Sequence, residues 1–268
     1  MKISIIGVGI VGNAMLLSFQ EKGFILNKDL YIYDKFKNLG TLDKCLNVDI
    51  IFLALPTPFN INKYDISSIE EICAYISDNN YNNYNNIVVI KSTVEPFIIE
   101  NLINKYKLKI LHNPEFLSAK TAYDDFHNQK HIVIGHSTND NSYVDMLSNF
   151  YSNYYKSATI SICNLNESSL MKLFCNSFYA VKIQFFTEMY LLCNNLNENF
   201  DKIKELMLKN NWINPMHTDV PGSDGNISYG GMCFPKDTNA LNNFMIANNS
   251  PNKILNSTIE ERNSMRKD

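Results

Sequence analysis

Short, continuously apolar segments alternate with amphipathic ones over the first half of the chain, a pattern that predicts buried strands separated by helices. The predicted strands are residues 1–6, 30–33, 49–55, 87–90, 108–111, 131–134 and 158–162. Helical spacing predicts helices over residues 13–22, 66–76 and 96–105. We therefore expect an α/β fold with a Rossmann-type, doubly wound parallel sheet that binds ligands at the carboxyl ends of its strands.

The pattern changes near Asn164, where apolar residues begin to recur with a helical period. No Gly or Pro interrupts this run before Asn199, which predicts one long helix over about residues 167–196. A further helix is predicted over residues 254–265, and an Asn-rich solvated loop over residues 78–86. The chain should thus contain a Rossmann-type domain over residues 1–163 and a mostly helical domain over residues 164–268.

A glycine-rich turn links the first predicted strand to the first predicted helix. In a GxGxxG turn the first glycine makes the tight turn, the second admits a pyrophosphate, and the third allows the helix to pack on the strand. Asp34 ends the next strand roughly twenty residues later, where a carboxylate binds ribose hydroxyls and repels a 2′-phosphate. An ordinary glycine turn would not need this acid, so we expect NAD binding. The turn consists of Gly7, Val8, Gly9, Ile10, Val11 and Gly12.

Cys233 stands between a glycine pair and the charged residues Lys236 and Asp237. A nearby cation and backbone N–H groups favour the thiolate, which is the nucleophilic form. A lone cysteine is more often buried and inert, and this alternative stays open from the residue itself. Lys172 and Asn176 are four residues apart on the long helix, so they share a face that either points at a ligand or is solvated.

Composition narrows the function classes. The chain has 268 residues, a formal charge of −3 and a pI near 6.0, so neither nucleic acid nor an anionic membrane is expected as a partner. No apolar run approaches the ~20 residues of a membrane span, and the N-terminus lacks the pattern of a secretion signal. The six cysteines lack zinc-like spacing. We expect a cytoplasmic protein with reduced thiols and no metal.

Six motifs follow one another along the chain: GxGxxG at residues 7–12, LPTP at 55–58, KSTV at 91–94, NPEFL at 113–117, KxxxN at 172–176 and GGxCFPKD at 230–237. In this order they resemble the UDP-glucose/GDP-mannose dehydrogenase family. The resemblance implies an NAD-dependent, two-step oxidation of the C6 alcohol of a nucleotide sugar (UDP-glucose or a related one) to the carboxylate, as in polysaccharide precursor synthesis. Cys233 would form a thiohemiacetal and then a thioester. The resemblance, together with the apolar long helix, also implies a homodimer.

The same resemblance assigns roles residue by residue. Lys172 and Asn176 would stabilise a developing oxyanion. Glu115 and Asp237, aided by Thr93, would position or deprotonate water. Further cofactor contacts are expected from Lys35, Thr57, Thr93 and Lys236. Substrate contacts are expected from Glu115, Phe116, Leu117, Lys172, Asn176, Gly222, Ser223, Asp224, Gly225, Asn226 and Gly230.

Three departures from the family pattern qualify this expectation. Ala119 replaces a second glutamate, and Ser228 replaces a glycine. The sequence ends at Asp268, where family members continue into a third, UDP-binding domain. We expect a short form that is either a weak enzyme or rebuilds the nucleotide site from residues 222–226 and the dimer partner.

Two other functions remain as alternatives. A two-electron hydroxyacid dehydrogenase shares the predicted build but has no use for Cys233. An NAD-binding remnant that serves as an interaction module would not need to retain Lys172, Asn176, Glu115, Cys233 and Asp237 together.

Overall fold

The computed structural model describes residues 1–79, 86–137 and 141–267. Residues 80–85 of the predicted Asn-rich loop lie outside these ranges. The strands are β1 (Ile3–Ile6), β2 (Leu30–Tyr33), β3 (Ile50–Leu53), β4 (Phe59–Asn60), β5 (Lys63–Tyr64), β6 (Ile87–Ile90), β7 (Ile110–His112), β8 (His131–His136) and β9 (Thr159–Asn164). The helices are α1 (Ile10–Glu21), α2 (Leu42–Leu46), α3 (Ser67–Asn79), α4 (Ile98–Tyr106), α5 (Ala122–His127), α6 (Asn141–Tyr154), α7 (Leu165–Leu196), α8 (Phe200–Leu208), α9 (Phe234–Ala247) and α10 (Lys253–Met265).

The chain divides into two compact units. The first comprises residues 1–58 and 64–172, and the second comprises residues 59–63 and 173–268. The dividing position at Lys172 lies inside α7, because this helix continues without a break from one unit into the other. The predicted domain boundary at residue 163 stays a prediction.

A seven-stranded sheet in the order β2-β1-β3-β6-β7-β8-β9 forms the centre of the first unit. This arrangement confirms the predicted α/β class with a helical C-terminal part. All neighbouring strands pair in parallel except β7 and β8, which pair antiparallel with His112 opposite Gly135. The sheet is therefore mostly parallel, and this one antiparallel pair departs from the expected parallel pattern. A parallel crossover needs a helix that runs back along the sheet, and α5 is only about 9 Å long.

Helices cover both faces of this sheet, which explains why β1, β3 and β6 are buried along their whole length. On one face, Phe19 of α1 packs against Phe52, Phe126 and Phe150, with ring centroids 5.5–5.7 Å apart. On the other face, buried side chains of α3 and α4 pack against alternate residues of the same strands. The two cores hold the carboxyl ends of the strands, where the polar turns begin, in fixed positions.

The second unit is helical. Its core includes Phe186, Cys193, Phe200 and Val220, and α9 packs against α10. The α10 side chain of Arg262 is buried and donates from Nε to the backbone oxygen of Tyr229, 3.1 Å away. This bond fixes the end of the loop that leads to Cys233. Among the described residues, no helix is long and apolar enough to cross a membrane.

Candidate active site

The glycine-rich turn in the first unit has the geometry of a phosphate-binding turn. Gly7 adopts a φ of 91°, and a Cβ there would lie 2.5 Å from the Ala54 carbonyl oxygen. A Cβ on Gly12 would lie 1.9 Å from the Gly7 carbonyl oxygen, so α1 packs against the turn too closely for any side chain. A Cβ on Gly9 would meet nothing within 4 Å. The middle glycine thus leaves open space at the N-terminus of α1, where a pyrophosphate can approach backbone N–H groups.

Asp34 closes this turn from the end of β2. Its Oδ2 accepts a hydrogen bond from the backbone N–H of Val8 at 2.8 Å, and its Oδ1 accepts bonds from Phe36 and Lys37 at 3.0 Å. Burial alone would raise the pKa of Asp34, but these backbone bonds outweigh burial and lower it. Asp34 is therefore an ionised carboxylate beside the turn, as the binding of ribose hydroxyls requires.

The next two strand ends bring Thr57 and Thr93 together. The Thr57 hydroxyl donates to the backbone oxygen of Thr93 at 2.9 Å, and both residues are buried. Ser92 strengthens the junction, because its hydroxyl donates to the backbone oxygen of Leu55 at 2.6 Å. The two predicted polar turns after β3 and β6 therefore form one rigid edge. Lys35, by contrast, pairs at 3.0 Å with Glu71 on the exposed surface.

Glu115 and Lys172 form a buried pair in the first unit. Lys172 Nζ donates to the backbone oxygen of Glu115 and lies 3.4 Å from Glu115 Oε1. Glu115 Oε2 accepts from the backbone N–H of Leu117 at 2.6 Å, and the Phe116 ring centroid lies 5.0 Å from Lys172 Nζ. The NPEFL turn and the α7 lysine therefore present a carboxylate and an ammonium group side by side.

A small cavity of about 30 Å³ lies beside this turn. Glu115, Phe116 and Leu117 line it together with Phe126 and His131. Its volume suits about one water molecule. A carboxylate next to such a space can position a water for attack.

Cys233 in the second unit is exposed and caps the N-terminus of α9. Backbone N–H groups and the helix dipole at this position favour an anion such as a thiolate. Pro235 stands in the first turn, where its missing N–H costs nothing. The helix start thus places an exposed cysteine beside backbone N–H groups.

The same helix turn buries Asp237 completely. Asn176 Nδ2 donates to Asp237 Oδ2 at 2.5 Å, and Lys236 Nζ lies 2.5 Å from Asp237 Oδ1. Asp237 therefore orients both side chains, and its backbone N–H donates to the Cys233 carbonyl oxygen at 3.0 Å. Lys236, predicted as a cofactor contact, is held by Asp237 in this structure.

The loop before Cys233 is stabilised from α10. Arg266 Nη1 lies 2.9 Å from Asp224 Oδ2 and donates to the Ser228 carbonyl oxygen at 3.3 Å. A Cβ on Gly230 would lie 2.2 Å from the Arg266 guanidinium, so any side chain there would require the arginine to move. Gly222 and Asn226 close the loop through a backbone bond of 2.8 Å.

Ser228, where the resembled family has glycine, adopts a φ of 60°. The position therefore requires the left-handed backbone that glycine adopts without strain. Two hydrogen bonds offset the backbone strain at Ser228. Its N–H donates to Thr187 Oγ1 at 3.0 Å, and its hydroxyl donates to Gln184 Oε1 at 2.6 Å.

Sequence reasoning missed several buried polar residues near these groups. Lys91 and His112 are buried in the first unit, and Arg262 is buried in the second. Lys91 lies in a motif that the sequence singled out, but a lysine is ordinarily a surface residue, so no role was assigned to it. No group of three or more His, Cys, Asp or Glu residues that could hold a metal is found within residues 1–79, 86–137 and 141–267.

Fold and side chains together define a Rossmann-type nucleotide-binding protein with a helical second unit that carries an accessible thiol. Two family models match the chain: the NAD binding domain of the UDP-glucose/GDP-mannose dehydrogenase family over residues 34–155, and the central domain of the same family over residues 166–264. Together they cover most of the chain. The chain belongs to the UDP-glucose/GDP-mannose dehydrogenase family and carries its NAD-binding domain.

Individual relatives agree with this assignment. The UDP-glucose 6-dehydrogenase of Rickettsia prowazekii is 32% identical over 242 residues, covering 84% of this chain and 51% of the relative. The UDP-glucose 6-dehydrogenase of Campylobacter jejuni is 29% identical, covering 100% of this chain and 73% of the relative. The structure of a UDP-glucose dehydrogenase from Pyrobaculum islandicum superimposes with a TM-score of 0.83 at 21% identity, covering 98% of this chain and 68% of that one. The chain spans about half the length of the Rickettsia relative.

Proposed function

We propose that this protein is an NAD-dependent dehydrogenase that oxidises the C6 alcohol of a nucleotide sugar, UDP-glucose or a related one, to the carboxylate. The observation that carries the proposal is the exposed Cys233 at the N-terminus of α9, one helical turn from the buried Asp237. An alcohol-to-aldehyde dehydrogenase needs no nucleophile. A four-electron oxidation can use one, because a thiohemiacetal holds the aldehyde on the enzyme until the second hydride has left.

In the proposed reaction, the C6 alcohol first loses a hydride and a proton and becomes an aldehyde. The Cys233 thiolate then adds to the aldehyde carbon, and protonation of the oxyanion gives a thiohemiacetal. Loss of a second hydride and the hydroxyl proton gives a thioester. Water adds to the thioester carbon, the C–S bond breaks, and the carboxylate and the thiolate are released.

The cofactor would be held by the first unit. The open space over Gly9 accommodates a pyrophosphate, and the ionised Asp34 suits the ribose hydroxyls of NAD. NAD⁺, two molecules per sugar, supplies the hydride acceptor when bound. Thr57 and Thr93 supply polar groups at the neighbouring strand ends.

Three further side chains have the chemistry that the remaining steps need. Lys172 is a buried ammonium group that can stabilise an oxyanion, and Asn176, one turn further along α7, offers an amide oriented by Asp237. Glu115 lies beside a water-sized cavity and can position or deprotonate the hydrolytic water. The loop at residues 222–226 is proposed to contact the sugar nucleotide.

We also propose a homodimer formed through α7. Phe174 is 53% exposed and Phe178 is 63% exposed on this helix. They line an apolar groove of about 570 Å³ together with Val181, Leu241, Met245 and Ile254. A second copy of this chain, whose α7 carries the same apolar face, would cover it by two-fold symmetry.

The decisive test is NADH formation with a panel of nucleotide sugars, combined with mass analysis of the sugar product. We expect two NADH per sugar and a carboxylate product. One NADH per substrate, with a ketone or aldehyde product, would favour the hydroxyacid-type alternative. No turnover with any nucleotide sugar, together with NAD binding, would favour the remnant.

A further inference from the structure

Lys91 is a buried lysine to which the proposed reaction assigns no role. It directly follows β6, and its residue exposure is 2%. Its backbone N–H donates to the Leu53 carbonyl oxygen at 2.9 Å, which continues the sheet, and its Nζ donates to Asn113 Oδ1 at 2.7 Å. Burial of a lysine amine is costly, so packing alone does not account for this residue.

Asn113 is the first residue of the turn that carries Glu115. Its Oδ1 accepts a second hydrogen bond from the Tyr151 hydroxyl, and its Nδ2 donates to the Val133 carbonyl oxygen at 2.7 Å. Its backbone N–H donates to the Ile90 carbonyl oxygen at 2.8 Å. The amide is therefore held from β6, α6 and β8, and its position fixes where the turn begins.

We propose that Lys91 is a positioning residue, which holds Asn113 and thereby the turn that presents Glu115 to Lys172, and which places its own amine beside that pair. This inference rests on the proposed function, because Glu115 and Lys172 take their roles from it. We propose no contact of Lys91 with substrate or cofactor, and Lys91 therefore acts through Asn113 and Glu115.

The surroundings of Lys91 decide when it carries a charge. The ionisable groups that face it are Glu115, Lys172, His112 and Tyr151, and the Phe126 ring centroid lies 5.7 Å from its Nζ. Burial lowers the pKa of Lys91 to about 7; Glu115 opposes this shift and Lys172 adds to it. The amine is therefore neutral above about pH 7 and gains a proton below it.

His112 and Tyr151 do not titrate in the same pH range as Lys91. Burial lowers the pKa of His112 to about 3 and raises the pKa of Tyr151 well above its ordinary value. Neither residue changes charge near neutral pH. As the pH falls through about 7, a positive charge appears on Lys91, and its attraction competes with the hydrolytic water for the Glu115 carboxylate. We therefore expect a decrease in kcat on the acid side of about pH 7.

The test compares Lys91→Met with Tyr151→Phe as the matched control. Each variant removes one donor to Asn113 Oδ1, but only the first removes the titrating amine. For Lys91→Met we expect kcat to fall about 10- to 100-fold, because this variant loses both a donor to Asn113 and the amine next to Glu115, with the KM for NAD⁺ within about two-fold of wild type and the acid-side decrease absent. Tyr151→Phe should keep the acid-side decrease, and its kcat should fall about three-fold or less.

Two kinetic results would overturn the proposal. One is a Lys91→Met enzyme with wild-type kcat. The other is a Lys91→Met enzyme whose kcat still declines below pH 7 as in the wild type. We expect Lys91→Met to melt at or above the wild-type temperature, since Asn113 Oδ1 keeps the Tyr151 donor. If Lys91→Met does not fold, Lys91→Gln replaces it in the test, because glutamine retains a hydrogen-bond donor and carries no charge.

A lysine Cε NMR titration of the wild-type protein needs no substrate. We expect one lysine resonance to titrate near pH 7, and to be missing from the Lys91 variant that assigns it. A Lys91 resonance that titrates only with the surface lysines would overturn the proposal. If the wild type oxidises no sugar but this resonance titrates near pH 7, the proposed function fails while the buried amine is established.

Discussion

Ser228 offers a sharp test of how the loop before Cys233 is held. Its φ of 60° is strained for any residue with a Cβ, and its exposure is 4%. Substitution by alanine keeps this strain and removes the hydroxyl. Substitution by glycine, the residue of the family pattern, removes both the hydroxyl and the strain. The two variants therefore separate the hydrogen bond from the backbone conformation.

The magnitudes follow from the contacts. The Ser228 hydroxyl donates at 2.6 Å to Gln184 Oε1, and Gln184 is 2% exposed. Loss of this donor leaves a buried acceptor unsatisfied, so Ser228→Ala should lower the free energy of unfolding by about 1–3 kcal/mol. Ser228→Gly loses the same bond, but relief of the left-handed strain stabilises it by about 1–2 kcal/mol. The greater conformational entropy of glycine in the unfolded chain costs about 0.5–1 kcal/mol of that gain.

We therefore expect the free energy of unfolding to decrease in the order wild type, Ser228→Gly, Ser228→Ala, with the two variants separated by about 0.75 kcal/mol and by about 1.5 kcal/mol at most. Urea unfolding followed by far-UV circular dichroism measures this order, and the Thr187 hydroxyl bond to the Ser228 N–H is common to all three proteins. An alanine variant as stable as the wild type, or a glycine variant less stable than the alanine one, would refute the reasoning.

Three further outcomes are expected. The wild type should prefer NAD⁺ over NADP⁺, and Asp34→Ala should narrow that preference; equal turnover of the wild type with both cofactors contradicts the role of this carboxylate. Because burial lowers the pKa of His112 to about 3, the unfolded chain binds a proton that the native chain does not, and stability is lost as the pH falls from about 6.5 towards 3. Urea titrations should show the wild type losing about 1.4 kcal/mol per pH unit relative to His112→Gln between about pH 6 and pH 4; parallel curves would show that His112 is not buried and neutral. Light scattering should give a dimer for the wild type and a monomer for Phe178→Glu, whereas a fully active wild-type monomer would exclude the dimer.

Much of the fold follows from the sequence because its strands are continuously apolar. The predicted strands at residues 30–33 and 87–90 coincide with β2 and β6, and the predicted long helix differs from α7 by two residues at its start. Elements with weak patterns were not predicted. The hairpin of β4 and β5 has two residues per strand, too few for any period, and α6 is rich in polar residues.

The sequence predicts which residues belong to the candidate site, but it does not predict how their side chains are arranged. The Cys233 motif indicates chemistry, yet nothing in its local pattern places the sulfur at the start of α9. Nor does the sequence indicate that Lys236 pairs with its neighbour Asp237 or that Lys91 is buried. The first depends on side-chain conformation within α9, and the second depends on packing in the folded first unit. The requirement for a left-handed residue at Ser228 is likewise a property of the folded loop.

The central claim is that Cys233 carries the substrate covalently during acid formation. The most direct measurement is peptide mass analysis after acid quenching of a reaction with nucleotide sugar and NAD⁺, with Cys233→Ala as the control. The account predicts that the wild-type peptide containing Cys233 gains the mass of the sugar acyl group, and that the alanine variant gains none and forms no acid. Acid formation by Cys233→Ala at the wild-type rate would contradict it.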